Sequence, residues 1–338
     1  MEEKNHNKKK LIIHPKFRKT LEEIKSVRIL TPQGENVKDF FSDYYVTSGK
    51  LKEIEEKNVL LNSKNGAEFL NSNIRIAAYD ESINKYTALE GTGMITSHTL
   101  TLLEDNEYIP LSMLTFYFYT RAKKQFENME NIRIITENEE DASKVDYLMD
   151  RNQMLAENCP ENTILFIDGS IFSGLSNAYN VKLNKKLLEK NIIPIYIVKN
   201  SFSNMVVQNS EYADHYNSDL HWVYNNVKVG ERTKFFKYDD LSNPEFSKIF
   251  CYFKPFKFSP IRIEMHSETY SKYKESINEI MDLIYYQIIT NGSERTPQCR
   301  IISISEEYSR ETISMFKLEH IMKIVGATPT INQERFAW

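Results

Sequence analysis

The sequence predicts an α/β fold, a mixed sheet flanked by helices with helical appendages at both ends, and three observations carry that prediction. Two apolar, strand-forming runs stop at aspartates, IRIAAYD at Asp80 and ILFID at Asp168. The first is followed by a β-rich stretch with short turns, which reads as a meander. The second is followed by a helix and another apolar strand, the series that gives a parallel pair through a right-handed crossover.

Taken in order, the chain of 338 residues begins with a basic arm over residues 1–35, in which Lys8 to Lys10 join Lys16, Arg18 and Lys19. Such an arm is usually a solvated tail and only sometimes a phosphate contact. Residues 36–70 place Phe40, Phe41, Leu51, Ile54, Leu60, Leu61, Phe69 and Leu70 at mixed three- and four-residue spacing, predicting amphipathic helices. The first aspartate strand closes at Asp80. TALEGTGMITSHTLTLLED then gives one or two strands around Gly91 and Gly93, and Met113 to Thr120 gives another. Val145, Leu148, Met149 and Leu155 at helical spacing, with Pro160 beyond, predict a helix leading into the Asp168 strand. VKLNKKLLEKN at 181–191 predicts a helix, and IIPIYIVKNS at 192–201 a strand ending at Lys199. Two strand-like runs fill 248–265, a strongly periodic helix spans 271–289, and a last helix spans 304–325. No internal repeat or composition break divides the chain, so residues 36–325 are predicted to form one domain with a core over 70–315, and 326–338 a tail.

Composition narrows the class. Hydrophobic residues at 41% and charged residues at 27% are those of an ordinary globular protein. No run approaches the roughly eighteen apolar residues of a membrane span, and the N-terminal sequence has no signal-peptide core, so a cytoplasmic protein with no membrane partner is predicted. Cys159, Cys251 and Cys299 lack CxxC spacing and read as reduced thiols. A net charge of −4 gives no global pull toward nucleic acid, so a DNA contact requires a local basic groove.

The aspartates carry the chemistry. Asp168-Gly169-Ser170 by itself is also what a plain Asp-Gly turn looks like. With Asp80 on a neighbouring strand about 4.8 Å away, the two carboxylates can share one cation or bridge two. Oxygen donors suit Mg²⁺ and Mn²⁺. Lys199, at the carboxyl end of the next strand, faces the same edge and can contact a phosphate; the alternative is a solvated lysine. Glu264, in the alternating IRIE pattern, reads as a salt-bridge partner, and His266 as a structural residue or an alternative ligand. Tyr117, Tyr119, Tyr212, Tyr216 and Trp222 are candidates for stacking on unpaired bases.

In its order of segments, IAAYDES around Asp80, ILFIDGSIF around Asp168, IPIYIVKNS around Lys199, VGERTKFF at 229–236 and SPIRIEM at 259–265, the chain resembles the NurA nucleases as a divergent member. The resemblance spans roughly residues 70–315. It implies an RNase H-like mixed sheet and a metal-dependent nuclease using Mn²⁺ or Mg²⁺ on DNA ends or single strands. It also implies a homodimer working with a HerA-type hexameric ATPase, in DNA end processing, repair or defence. Asp80 and Asp168 match the family's two strand-borne metal ligands. The third carboxylate is expected on the preceding helix, where Asp150 is the best substitute. Two positions depart from the family pattern: Glu81 replaces a glycine, and an expected C-terminal histidine is missing, with Glu306 or Glu307 near its place. These departures keep a second function open, a catalytically weakened DNA-binding or ATPase-adaptor subunit.

Overall fold

The protein is described by a computed structural model covering residues 15–27, 49–72, 74–126, 129, 132–136, 138–210, 216–291, 293–294 and 297–330. Lys8 to Lys10, Phe40, Phe41, Tyr212 and the tail beyond residue 330 lie outside the described residues. Lys16, Arg18 and Lys19 sit on helix α1 (Pro15–Val27).

The stretch expected as amphipathic helices starts differently. Strand β1 (Gly49–Glu53) and the short β2 (Val59–Leu60) precede a single helix, α2 (Ser63–Asn71). Three- and four-residue spacing did not anticipate an edge strand, whose burial simply alternates. Helix α2 opens on Asn62, whose side chain accepts from the Lys64 amide, a standard N-cap.

The meander is present and longer than expected: β3 (Arg75–Thr87), β4 (Thr92–Glu104) and β5 (Glu107–Thr120). Strand β3 does not end at Asp80 but runs seven residues further, because β4 pairs with it throughout, from Ile76↔Leu103 to Thr87↔Thr92. The turn between β4 and β5 is Asp105-Asn106, both at positive φ (49° and 63°), as a two-residue hairpin of the primed type requires. A short helix, α3 (Lys123–Phe126), and β6 (Ile132–Ile134) follow. Helix α4 (Glu139–Asn158) then leads into β7 (Thr163–Asp168), and α5 (Ser176–Glu189) into β8 (Ile193–Val198), as predicted.

Two short helices, α6 (Met205–Gln208) and α7 (Asp219–Asn226), precede β9 (Glu231–Arg232), β10 (Phe236–Asp240), β11 (Ser247–Lys254) and β12 (Ile261–His266). The periodic segment after them is α8 (Ser267–Tyr273), a 3₁₀ turn at Lys274–Ser276, and α9 (Ile277–Asn291). The last expected helix is two, α10 (Arg300–Ser314) and α11 (Leu318–Ile324).

Among the described residues all twelve strands join one mixed sheet. Its main path runs β1-β10-β11-β12-β8-β7-β3-β4-β5-β6. At its centre β3, β7 and β8 are parallel, while β4 and β12 flank them antiparallel. One face is covered by α9 and α10, whose Ile277, Ile280, Ile284 and Ile301 pack on Ile76, Phe166, Ile195 and Ile263. The other is covered by α4 and α5, through Met154, Leu155, Leu183 and Leu187 on Leu165, Ile167 and Tyr196. A strand with helices on both faces buries nearly every side chain, which is why the β7 and β8 sequences are continuous apolar runs. The three cysteines are buried free thiols. No helix among the described residues is long and apolar enough to cross a membrane.

Candidate active site

The carboxyl ends of β7 and β8 and the middle of β3 meet at one place. Parallel register sets Tyr79 opposite Ile167, so Asp80 and Asp168 follow as neighbours, and Asp168 lies opposite Ile197 of β8. Strand alternation decides which way they point. Ala78, Phe166 and Ile197 all belong to the core under α9 and α10. Asp80, Asp168 and Lys199, each two residues on, therefore project to that same face.

Helix α10 closes the cluster from above. Ser305 Oγ donates to the Ala78 carbonyl (3.1 Å), and Ser309 Oγ meets Ser82 Oγ at 2.7 Å. The two serines seat the helix along β3 on either side of Asp80 and deliver Glu306 between them. Lys199 Nζ lies 2.7 Å from Asp168 Oδ2 and 3.5 Å from Glu306 Oε2. Glu306 also accepts from Gln298 Nε2 at 2.8 Å and pairs with Arg310. Of the residues singled out from the sequence, Asp80, Asp168, Lys199 and Glu306 are brought together.

The charges in this cluster do not balance. Burial, then the nearby Asp168 and Glu81 carboxylates, push the Asp80 carboxyl up to about 7, although it accepts the Glu81 amide at 2.9 Å. Burial would lower Lys199, but its bond to Asp168 and the charges of Asp168, Glu306 and Asp80 hold it above the usual lysine value. Glu306 is held below the usual range: burial opposes this, but the Gln298 bond, Lys199 and Arg310 prevail.

Asp150 is not part of this cluster. Its carboxylate accepts the Tyr117 hydroxyl at 2.8 and 3.0 Å, on the side of α4 that faces β5. One turn earlier Asp146 accepts from Tyr119 (2.9 Å) and pairs with Arg133 (3.2 Å). Helix residues one apart diverge by about 100°, and it is the next residue, Arg151, that turns inward. Arg151 is buried and bonds Asn152 and Asn180. It acts on Glu81, whose carboxyl is raised first by burial, while Arg151 and the Tyr79 hydroxyl favour its ionised form. Tyr79 in turn meets His98 Nδ1 at 2.7 Å. Burial, then Arg151, push His98 down to about 4.

Behind the strand tips lies a buried ionic network. Glu264 Oε2 accepts from Ser170 Oγ (2.8 Å) and the Ile171 amide (2.9 Å), in the loop that leaves Asp168. Its Oε1 lies 2.6 Å from Lys248 Nζ and 2.8 Å from Arg262 Nε. Arg262 Nη1 reaches Ser201 Oγ (2.6 Å), in the loop that leaves Lys199. One buried triad thus ties down both loops that present the site. Burial would raise Glu264, but Arg262 and Lys248 push it to about 2. Gly169, at φ +104°, lets the chain turn sharply after Asp168. His266 is structural: Nε2 meets the Glu245 carbonyl at 2.9 Å while Nδ1 caps α8.

The donor set suits a hard divalent cation. It consists of oxygen ligands, and the Asp80 carboxyl is displaced upward first by burial and then by the Asp168 and Glu81 charges, which Lys199 only partly offsets. Among the described residues no three His, Cys, Asp or Glu side chains are close enough to hold an ion by themselves. Mg²⁺-type ions are commonly held by one or two carboxylates, with water and phosphate oxygens completing the shell.

A mixed sheet flanked by helices, with Asp80 and Asp168 adjacent at its centre, has the RNase H-like arrangement of nuclease folds. The chain belongs to the NurA family: the NurA domain is matched over residues 47–308, most of the chain. The NurA nuclease from Sulfolobus solfataricus is similar in fold, with a TM-score of 0.53 at 13% identity, covering 94% of this chain and 100% of that one. A NurA structure with manganese gives 0.43 at 9% identity, covering 91% and 96%. Endonuclease V from Ciona intestinalis, in complex with inosine-containing DNA, gives 0.38 at 11% identity, covering 75% and 95%. No curated protein matches the sequence.

Proposed function

We propose that the protein is a divalent-metal-dependent nuclease that hydrolyses phosphodiester bonds in DNA, at ends or in single strands. The observation that carries this reading is the side-by-side placement of Asp80 and Asp168 with Lys199 on one face of β3, β7 and β8. Asp80 and Asp168 would hold Mn²⁺ or Mg²⁺, which when bound activates water and stabilises charge on the leaving oxygen. Lys199 would exchange its ion pair with Asp168 for a phosphate oxygen of the substrate, orienting the strand. Glu306 would keep that lysine charged and aimed at the same edge. Following the family resemblance, we further propose a homodimer that works with a HerA-type hexameric ATPase in DNA end processing, repair or defence.

The test is incubation of the purified protein with labelled linear DNA in Mn²⁺ or Mg²⁺. Cleavage that disappears in both Asp80→Ala and Asp168→Ala supports the enzyme. DNA or ATPase binding with no cleavage in either metal identifies a binding or adaptor subunit instead. That second reading draws on one specific contact: the Lys199 ammonium lies against Asp168, where it competes with a metal ion. Matched RNA substrates separate a DNA from an RNA enzyme.

A further inference from the structure

We infer that Phe202 is a stacking platform for an unpaired nucleobase next to the phosphate held at Lys199, an inference that rests on the nuclease reading above. Phe202 is 82% exposed, more than any other large apolar side chain among the described residues. It lies three residues beyond Lys199, so chain reach alone keeps the two Cα atoms within about 10 Å.

The loop around it is fixed while the ring is thrown outward. Ser201 Oγ accepts from Arg262 Nη1 (2.6 Å). On the other side, Ser203 Oγ donates to Asp219 Oδ2 (3.2 Å), and the Asp219 amide donates to the Ser203 carbonyl (2.8 Å). Asp219 is fully buried and also accepts the Val206 and Val207 amides at 3.0 and 2.9 Å. A fully flexible loop would lose ordering entropy when its ring stacked on a ligand; a loop pinned on both sides has already lost most of it.

The chemistry of the surroundings selects the ligand. Phe202 is flanked in the chain by Asn200, Ser201, Ser203 and Asn204, and it belongs to none of the buried apolar clusters. An exposed aromatic within chain reach of a lysine that pairs with two carboxylates suits a nucleotide, with the phosphate at Lys199 and the base on the ring. In a duplex the base faces are already stacked, so the platform serves a single strand or a frayed end.

The test measures binding of wild type, Phe202→Ala and Phe202→Trp to a single-stranded oligonucleotide in EDTA, and cleavage in Mn²⁺. An abasic residue is then scanned through the oligonucleotide. Phe202→Ala is expected to weaken binding roughly 5- to 150-fold, while Phe202→Trp keeps it. One abasic position, near the cleaved bond, should weaken wild type by a similar factor and leave Phe202→Ala little affected. Equal binding by wild type and Phe202→Ala, or a loss that no abasic position reproduces, overturns the inference; the first result would leave the ring to a protein partner. Wild type that neither binds nor cleaves any strand overturns the nuclease reading and this inference with it.

Discussion

Two carboxylates of one sheet, the fully buried Glu264 and the half-buried Asp80, have opposite fates. Glu264 faces Lys248 and Arg262 and accepts two further hydrogen bonds, and its carboxyl falls to about 2. Asp80 lies beside Asp168 and next in the chain to Glu81, and its carboxyl rises to about 7. The first is satisfied by the protein itself and acts as a strut. The second shares a single lysine, Lys199, with Asp168 and Glu306, so negative charge is in excess there once Asp80 ionises, a condition that favours a bound cation. On α4 the Asp150 carboxyl is also raised, first by burial, but Tyr117 occupies both its oxygens, and Asp146 is taken by Tyr119 and Arg133.

The most direct way to break this contrast is to remove either site aspartate. Asp80→Ala and Asp168→Ala should each lower the cleavage rate by about three orders of magnitude or more, a loss of several kcal/mol of transition-state stabilisation. Far-UV circular dichroism should stay unchanged. If instead cleavage survives, the two carboxylates are not the reacting centre.

Glu264→Gln attacks the other side of the comparison. Removing one charge from a buried cluster leaves Lys248 and Arg262 uncompensated, so unfolding in denaturant should show a loss of about 3–5 kcal/mol. The pH dependence follows from the sign of the shift. The folded-state value of Glu264 lies below its unfolded value of about 4.3, so its stabilisation is fully present above that pH. It is lost as pH falls toward about 2. Wild type should therefore lose stability over that window more steeply than Glu264→Gln.

Lys199→Met should cost about a hundredfold in cleavage rate, by loss of one charged donor to the phosphate. Single-turnover kinetics on the labelled DNA reads this directly. Asp80→Asn should do the reverse to stability. The raised Asp80 carboxyl makes ionisation costly in the folded state, so stability falls as pH rises through about 7. At pH 8 in EDTA the variant should be more stable than wild type by on the order of 1–2 kcal/mol, allowing for partial exposure. Mn²⁺ should narrow that gap by stabilising wild type alone. The smallest effect is expected for Asp150→Asn, with cleavage within about threefold of wild type and a stability loss of about 1 kcal/mol from one weakened hydrogen bond.

Parts of this account were legible in the sequence for identifiable reasons. Asp168 and Lys199 could be placed because a buried parallel strand is a continuous apolar run, and its first charged residue marks its tip. Asp80 could be located but not the end of its strand, since the length of β3 is set by pairing with β4, a non-local contact. Glu306 was legible only through the family resemblance, and its position depends on the Ser305 and Ser309 contacts that seat α10. Asp150 and Arg151 are adjacent, and which of them turns inward is decided by packing against β5 and α5. Its spacing before Asp168 cannot reveal that. The role of Glu264 as an ion-pair partner was readable from the IRIE alternation, but its grip on the Asp168 loop was not. Phe202 is one of nineteen phenylalanines, and nothing local in the sequence marks it as the most exposed of those described.

The measurement that bears most directly on the central claim is anomalous diffraction from crystals of the protein grown with Mn²⁺. A manganese peak is expected between the Asp80 and Asp168 carboxylates, with Lys199 displaced from Asp168. A well-ordered Asp80–Asp168 pair with no peak, or a peak only at Asp146 and Asp150, would contradict it.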